Sequence, residues 1–132
     1  MANEHPIFWE ILTLGTLIIA LSFIFLPMLD ADLMPKEPRE IVVRLSIYES
    51  GGFDPDVIRV KKGEPVKLTF ISMDVSHIVI IESLGIETEV IHPGKTAVVE
   101  FTPDKAGVYM FKCNTQCSPF HHFMRGKLIV EE

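Results

Sequence analysis

The residue types best suited to chemistry in this 132-residue chain stand close together near its end. The stretch CNTQCSPFHHFM contains the chain's two cysteines, Cys113 and Cys117, together with His121 and Met124. A further histidine, His77, begins an apolar run earlier in the chain. Thiolate, imidazole and thioether groups together suit soft copper, whereas zinc sites rarely include methionine and calcium takes oxygen ligands. These residues predict a copper site.

The set holds more ligands than one copper ion uses. A trigonal copper site takes two imidazoles, one thiolate and a weak thioether, but this chain offers two thiolates. Two copper ions that share bridging sulfurs would use both. In the alternative, one copper is bound by His77, Cys117, His121 and Met124, and Cys113 is incidental.

Two other readings concern the same segment. Cys113 and Cys117 could form a disulfide, which an oxidising compartment permits, but a disulfide does not explain the spacing of His121 and Met124. His122 neighbours His121 and becomes the ligand if the register shifts by one residue.

Residues 7–29 read IFWEILTLGTLIIALSFIFLPML and contain a single charge, Glu10. A helix of this length is roughly 34 Å long at ~1.5 Å per residue, enough to span a bilayer. No Lys or Arg precedes the run and no small-residue cleavage pattern follows it, which favours a retained anchor over a signal peptide. We expect a transmembrane anchor over residues 1–33, in which Glu10 lies at headgroup level or takes part in proton uptake.

The remainder, residues 34–132, has the pattern of a β-protein. Apolar residues alternate with polar ones in three runs: Ile41, Val43, Leu45, Ile47; Val66, Leu68, Phe70; and Ala97, Val99, Phe101. Four shorter runs, VIRV, HIVII, VYMFK and KLIV, are separated by Gly- and Pro-containing turns. The pattern predicts seven or eight strands in an antiparallel β-sandwich or barrel. In a sandwich, the loops gather at the ends and can bring His77 to the cysteines. A net charge of −6 and 48% hydrophobic residues argue against a disordered tail or a nucleic-acid-binding protein.

The spacing CxxxCxxxHxxM and the segment DVSH that ends at His77 resemble the copper-binding motifs of subunit II of haem-copper cytochrome c oxidases. Further similarity lies in VIRVKKGEPVKLTF, the HPGK turn, FTPDKAGVYMFKC and GKLIVEE. These stretches cover most of residues 56–132. The resemblance implies a cupredoxin β-sandwich that carries a binuclear copper centre, CuA, with two copper ions per chain.

The resemblance also implies a role for each residue. The assignments are these: His77 and His121 each bind one copper, Cys113 and Cys117 bridge both, Met124 is a weak ligand to one, and the backbone carbonyl of Thr115 is a weak ligand to the other. Many relatives have a glutamate at the position of Thr115, where it reaches a magnesium ion, so threonine puts a magnesium site in doubt here. Asp74 either orients His77 through a hydrogen bond or is an ordinary turn residue. Phe120, Phe123 and Met110 are expected in the apolar surroundings of the metal.

The single anchor resembles the short subunit II of B-family oxidases, in which a glutamate at the position of Glu10 lies at the mouth of a proton channel. The resemblance implies a protein of the cell membrane with its copper domain on the periplasmic or outer face. Its implied partners are membrane lipid, cytochrome c as electron donor and subunit I, whose haem receives the electrons for oxygen reduction. The chain alone is expected to catalyse nothing.

Overall fold

The computed structural model describes residues 6–29 and 36–132, with helix side chains described over residues 10–22. The chain divides into two compact units, Met1–Pro35 and Lys36–Glu132. The predicted domain boundary between residues 33 and 34 lies outside the described residues and stays a prediction.

The first unit contains one helix, α1, over Pro6–Leu29. The hydroxyl groups of Thr16 and Ser22 donate to backbone carbonyls one turn earlier, at Leu12 and Ile18, so these side chains place no unpaired polar group on the helix surface. Among the residues described, no helix is both long and apolar enough to cross a membrane. The anchor expected over residues 7–29 therefore stays a prediction.

The second unit consists of strands joined by loops and short 3₁₀ turns. The strands are β1 Arg39–Leu45, β2 Phe53–Asp54, β3 Val57–Lys61, β4 Val66–Ser72, β5 Val79–Ile81, β6 Ile86–Glu87, β7 Thr96–Phe101, β8 Gly107–Cys113 and β9 Arg125–Glu131. Their burial follows the predicted alternation: Val43 and Leu45 in β1 are buried, and Val42 and Arg44, which alternate with them, are exposed. The prediction of strands with one buried and one exposed face is thus confirmed.

The strands form two sheets, ordered β2-β1-β4-β7 and β3-β9-β8-β5-β6. The prediction of an antiparallel sandwich is wrong in one respect, because β1 pairs with β4 and β3 pairs with β9 in parallel. A parallel pair requires a crossover connection. Here the chain leaves the first sheet after β2, forms β3 in the second sheet, and returns for β4.

A hydrophobic core fills the space between the sheets. Its buried members include Val43, Leu45, Phe53, Ile58, Val60, Val66, Leu68, Phe70, Val79, Ile81, Ile91, Phe111, Leu128 and Val130, and it also takes in Cys113 and Met124. Both sulfur residues therefore belong to the rigid interior and not to a mobile surface loop.

Candidate metal centre

The segment that joins β8 to β9 contains most of the predicted ligands, and pairing of the two strands holds its ends together. Cys113 is the last residue of β8, and Met124 directly precedes β9. The Cys113 N–H donates to the Met124 carbonyl over 3.1 Å. Because β8 and β9 are paired neighbours, the ten residues between Cys113 and Met124 return to the point where they left the sheet.

His77 lies just before β5, the strand that pairs with β8 on the side opposite β9, and this position brings it to Cys113. Val79 of β5 pairs with Cys113, and the Asn114 N–H donates to the Ile78 carbonyl over 2.8 Å. His77 is therefore held two residues from the end of the β5–β8 ladder. Its Nδ1 lies 3.7 Å from the Cys113 Sγ.

Three sulfur atoms form the centre of the cluster. The Sγ atoms of Cys113 and Cys117 are 3.6 Å apart, and the Cys117 Sγ lies 4.0 Å from the Met124 Sδ. Both cysteines are free thiols, so the disulfide alternative is not formed. The Cys113 thiol donates to the Thr115 carbonyl over 3.4 Å.

These distances fit ligands that share a metal. Two sulfur atoms bound at ~2.3 Å in tetrahedral geometry lie roughly 3.8 Å apart, which is close to the 3.6 Å between the cysteine sulfurs. His77, Cys113 and Cys117 each bring a ligand atom within 4.8 Å of the others. His77, Met124 and Cys113 are 0%, 1% and 5% exposed, so these three side chains are shielded from water, and Cys117 is half-buried.

His121 is the predicted ligand that the structure does not bring into this set. It begins the short 3₁₀ turn His121–Phe123, and its Nδ1 donates to the Ser118 carbonyl over 3.1 Å. His122, the alternative ligand, is exposed, and its ring packs on Phe123 with centroids 4.1 Å apart.

Residues 17–130 of this chain match the family of the Cupredoxin-like domain. The chain belongs to this cupredoxin family. A nitrous-oxide reductase from Pseudomonas fluorescens is 35% identical to this cupredoxin over 77 residues, which are 55% of the chain and 12% of the reductase. The chain therefore spans a small part of that relative's length.

Solved structures share the sandwich. A haem-copper terminal oxidase dimer, solved by cryo-EM, matches with a TM-score of 0.58 and 24% identity over 91% of this chain and 96% of that one. The periplasmic domain of cytochrome oxidase subunit II from Bradyrhizobium japonicum matches with a TM-score of 0.60 and 19% identity over 74% and 87%. A reduced Cu(I) form of an amicyanin variant matches with a TM-score of 0.53 and 26% identity over 72% and 85%. The two oxidase matches show the cupredoxin fold alone.

Asp74 holds His77 in place in this cupredoxin. Its Oδ1 accepts from the His77 Nε2 over 2.8 Å and from the Val75 N–H over 2.6 Å, and its Oδ2 accepts from the Ile47 N–H over 2.6 Å. Because a carboxylate only accepts, the proton lies on Nε2 and the Nδ1 of a neutral imidazole is free to face the sulfurs. Asp74 thus serves both as a turn residue and as the group that orients His77.

Burial and hydrogen bonding oppose each other at His77 and Cys113. Burial lowers the pKa of His77, but hydrogen bonds with Cys113 and Asp74 outweigh it and raise that pKa above its ordinary value. Burial raises the pKa of the Cys113 thiol, but the hydrogen bonds with His77 and Thr115 bring it below its ordinary value. Burial and the neighbouring Cys113 raise the pKa of Cys117 to about 12. Only thiolates bind metals, so metal binding at Cys117 must release a proton.

The residues expected around the metal are not where the sequence suggested. Phe120, Phe123 and Met110 are exposed, and Met110 lies on the outer face of β8. The apolar neighbours that the structure places beside the cluster are Ile91, which pairs with His77, and Val79, which pairs with Cys113. Glu10, in the helical unit, has an exposed side chain.

Replacing Asp74 by asparagine is expected to destabilise the metal-free fragment of residues 36–132 by about 1–3 kcal/mol at pH 7, because an amide NH₂ would face the Ile47 N–H donor. Hydrogen bonds lower the pKa of Asp74 more than burial raises it. The carboxylate's contribution is therefore present above its unfolded pKa of ~3.9 and is lost as the pH falls through the lower folded value. Urea unfolding followed by circular dichroism should show a difference from wild type at pH 7 that shrinks below pH 4.

Asp54→Asn is the matched control, since Asp54 forms only an exposed ion pair with Arg44 at 3.5 Å. That change is expected to cost less than ~0.5 kcal/mol. Equal effects of the two substitutions would contradict the role given to Asp74.

Proposed function

We propose that this cupredoxin is the electron-accepting subunit of a haem-copper terminal oxidase and that it holds a binuclear CuA centre. Electrons would come from cytochrome c and pass to the haem of subunit I, where oxygen is reduced. The oxidase structures that share its fold support this proposal, as does the CxxxCxxxHxxM spacing.

One observation carries the proposal. Two free thiols, Cys113 and Cys117, lie side by side at 3.6 Å between the imidazole of His77 and the thioether of Met124. A mononuclear copper site uses one thiolate, so a second buried cysteine at this distance has no role there. Both sulfurs have a role if they bridge two ions.

The protein's own residues supply every ligand in this proposal: His77, Cys113, Thr115, Cys117, His121 and Met124. When bound, the copper pair would supply reversible one-electron transfer. The side chains of His77 and Met124 are buried, and backbone hydrogen bonds hold His77 to Ile91 and Met124 to Cys113. No position is left for a substrate, so the chain alone is proposed to be non-catalytic.

His121 must then turn its Nδ1 from the Ser118 carbonyl toward the sulfurs when metal binds. The cost is one part-buried hydrogen bond of about 1 kcal/mol, which a metal–imidazole bond exceeds. The second candidate, a membrane-anchored mononuclear copper carrier, needs the same turn, because its ligands also include His121. The likeness to amicyanin in its Cu(I) form supports that candidate.

Copper stoichiometry and the EPR spectrum of the full chain, purified in detergent and loaded with copper, test the two candidates. Two copper ions per chain, with hyperfine splitting from one electron shared by two nuclei, are expected. One copper per chain with splitting from a single nucleus would reject the binuclear centre and leave the mononuclear carrier.

We further propose that residues 7–29 anchor the chain in the cell membrane, with the cupredoxin domain on the periplasmic or outer face. The support is the run of 23 residues with one charge. In an assembled oxidase, Glu10 would lie at the mouth of a proton channel, since its place one turn into the apolar run matches that position in B-family oxidases.

Glu10→Gln is expected to slow oxygen consumption by the assembled oxidase several-fold, because the amide cannot bind and release a proton. Turnover measured from pH 6 to pH 9 checks this, with Glu4→Gln, outside the apolar run, as the control. Turnover of Glu10→Gln equal to wild type across this range would remove Glu10 from the proton path.

A further inference from the structure

The outward face of the five-stranded sheet concentrates positive charge. We define the basic face as the outward side chains of β3, β9 and β8: Val57, Arg59, Lys61, Arg125, Lys127, Ile129, Glu131, Val108, Met110 and Lys112. These ten positions include five of the chain's twelve Lys and Arg residues and one acidic residue. The chain as a whole has a net charge of −6, so the basic face opposes the charge of the rest of the molecule.

Most of this positive charge is not neutralised by neighbours. Arg59 pairs with Glu131 at 3.0 Å, and Lys112 pairs with Glu82 at 2.6 Å. Within the part of the chain that the structure describes, Lys61, Arg125 and Lys127 form no ion pair. These unpaired cations produce a positive electrostatic potential, which favours binding of an acidic partner.

Apolar side chains lie among the cations. Val57, Met110 and Val108 are 42%, 44% and 62% exposed. The strand register places Lys127 between Val57 and Met110 in one cross-strand row. The water-facing side of a sheet is normally polar, so this mixture of exposed apolar side chains and cations has the composition of a protein-docking surface.

The basic face ends at the candidate metal centre. Lys112 and Arg125 pair across β8 and β9. Lys112 directly precedes Cys113, and Arg125 directly follows Met124. A protein bound on this face would therefore contact residues covalently linked to two of the proposed ligands.

We propose that the basic face is the docking surface for a redox protein with an acidic surface. The proposal rests on the proposed electron-transfer function and specifies the surface chemistry of the partner. The face is about 15 Å across three strands and about 23 Å along β9, which suits transient redox complexes that bury less than about 1,200 Å² in total.

A lipid surface is the less suitable occupant. Glu131 lies on the face and Glu82 beside it, and both would be repelled by anionic headgroups. The exposed apolar residues of the face are Val57, Val108 and Met110, without the Trp or Phe that interfacial segments insert.

The test measures binding of two probes to the full chain in detergent: a cytochrome c with net negative charge at pH 7, and one with net positive charge. Isothermal titration calorimetry at low ionic strength, with and without copper, gives the Kd. We expect the acidic cytochrome to bind more tightly, and the double variant Lys61→Glu/Lys127→Glu to weaken that binding at least ~10-fold. Met110→Ser is expected to weaken it by a smaller factor.

Lys95→Glu is the matched control, since Lys95 is exposed and belongs to the turn before β7, outside the basic face. It should change the Kd less than ~2-fold. An unchanged Kd in the double variant, or tighter binding of the basic cytochrome, would overturn the proposal. Binding to vesicles with 30% phosphatidylserine, without binding to the acidic cytochrome, would assign the face to lipid. Each of these results is independent of copper stoichiometry, so the binuclear centre can stand while the docking proposal fails.

Discussion

Cys113→Ser is expected to abolish the binuclear copper signal and to lower copper affinity at least ~100-fold. Cys113 is the residue with contacts to most of the other proposed ligands: His77 at 3.7 Å, the Thr115 carbonyl at 3.4 Å and Cys117 at 3.6 Å. A neutral hydroxyl is a poor ligand for soft copper and cannot bridge two ions as a thiolate does. Changes to residues that only orient a ligand already cost 10–100-fold in metal affinity, so loss of a bridging sulfur should cost more.

The fold should survive this substitution. Serine is close to cysteine in size, and its hydroxyl can donate to the Thr115 carbonyl that the thiol faces. Circular dichroism checks the fold, and copper titration with EPR checks the site. Any loss of copper can then be assigned to the ligand and not to unfolding.

Cys113→Ser separates the two candidate functions. If one copper is bound by Cys117, His121, Met124 and His77, the substitution leaves one copper per chain and an unchanged single-nucleus spectrum, and that outcome would contradict the binuclear proposal. Cys117→Ser is expected to remove copper binding in both cases. Met73→Leu, which removes an exposed thioether outside the site, should leave copper binding unchanged.

Periodicity in the sequence predicts the longer strands because their burial is a local property. In β4, Val66, Leu68 and Phe70 are buried as expected, and Lys67 and Thr69 between them are less so. Strands β2 and β6 have two residues each, which is too short for alternation to appear. The parallel pairing of β1 with β4 was also missed, since both orientations produce the same alternation.

The candidate metal centre likewise depends partly on local sequence and partly on contacts between residues that are distant in the sequence. The spacing from Cys113 to Met124 is local, and residue type alone was enough to select it. The contact between Asp74 and the Ile47 N–H joins residues 27 apart through two loops, and no sequence pattern specifies it. His121 differs again, because its Nδ1 donates to the Ser118 carbonyl, and the proposed metal binding requires this hydrogen bond to break. A sequence pattern indicates a candidate ligand, but it does not indicate which group that side chain contacts before metal binds.

Gly126→Ala is expected to destabilise the fragment of residues 36–132 by about 3 kcal/mol or more, although it adds one methyl group. A Cβ at Gly126 would lie 2.2 Å from the Phe111 ring and 2.7 Å from the Asp56 carbonyl oxygen. Phe111 is fully buried against Phe53 in an edge-to-face contact with centroids 4.8 Å apart. The Asp56 carbonyl accepts from the Lys127 N–H over 2.7 Å. Neither neighbour can move freely, so the cost lies at or above the usual 1–3 kcal/mol for overpacking.

The effect of Gly126→Ala should extend to the metal centre. β9 begins directly after Met124, so a shift of β9 away from Phe111 also displaces the Met124 thioether from Cys117 and weakens copper binding.

Gly85→Ala controls for loss of glycine alone: its φ is +64° and nothing lies within 4 Å of an added Cβ, so it should cost only about 1–2 kcal/mol of backbone strain. Shortening the opposing ring in Phe111→Val/Gly126→Ala should recover at least ~1 kcal/mol relative to the sum of the single changes. A Gly126→Ala cost no larger than that of Gly85→Ala, or strict additivity in the double variant, would show that β9 can move away without resistance and that the close contact does not fix the position of Met124.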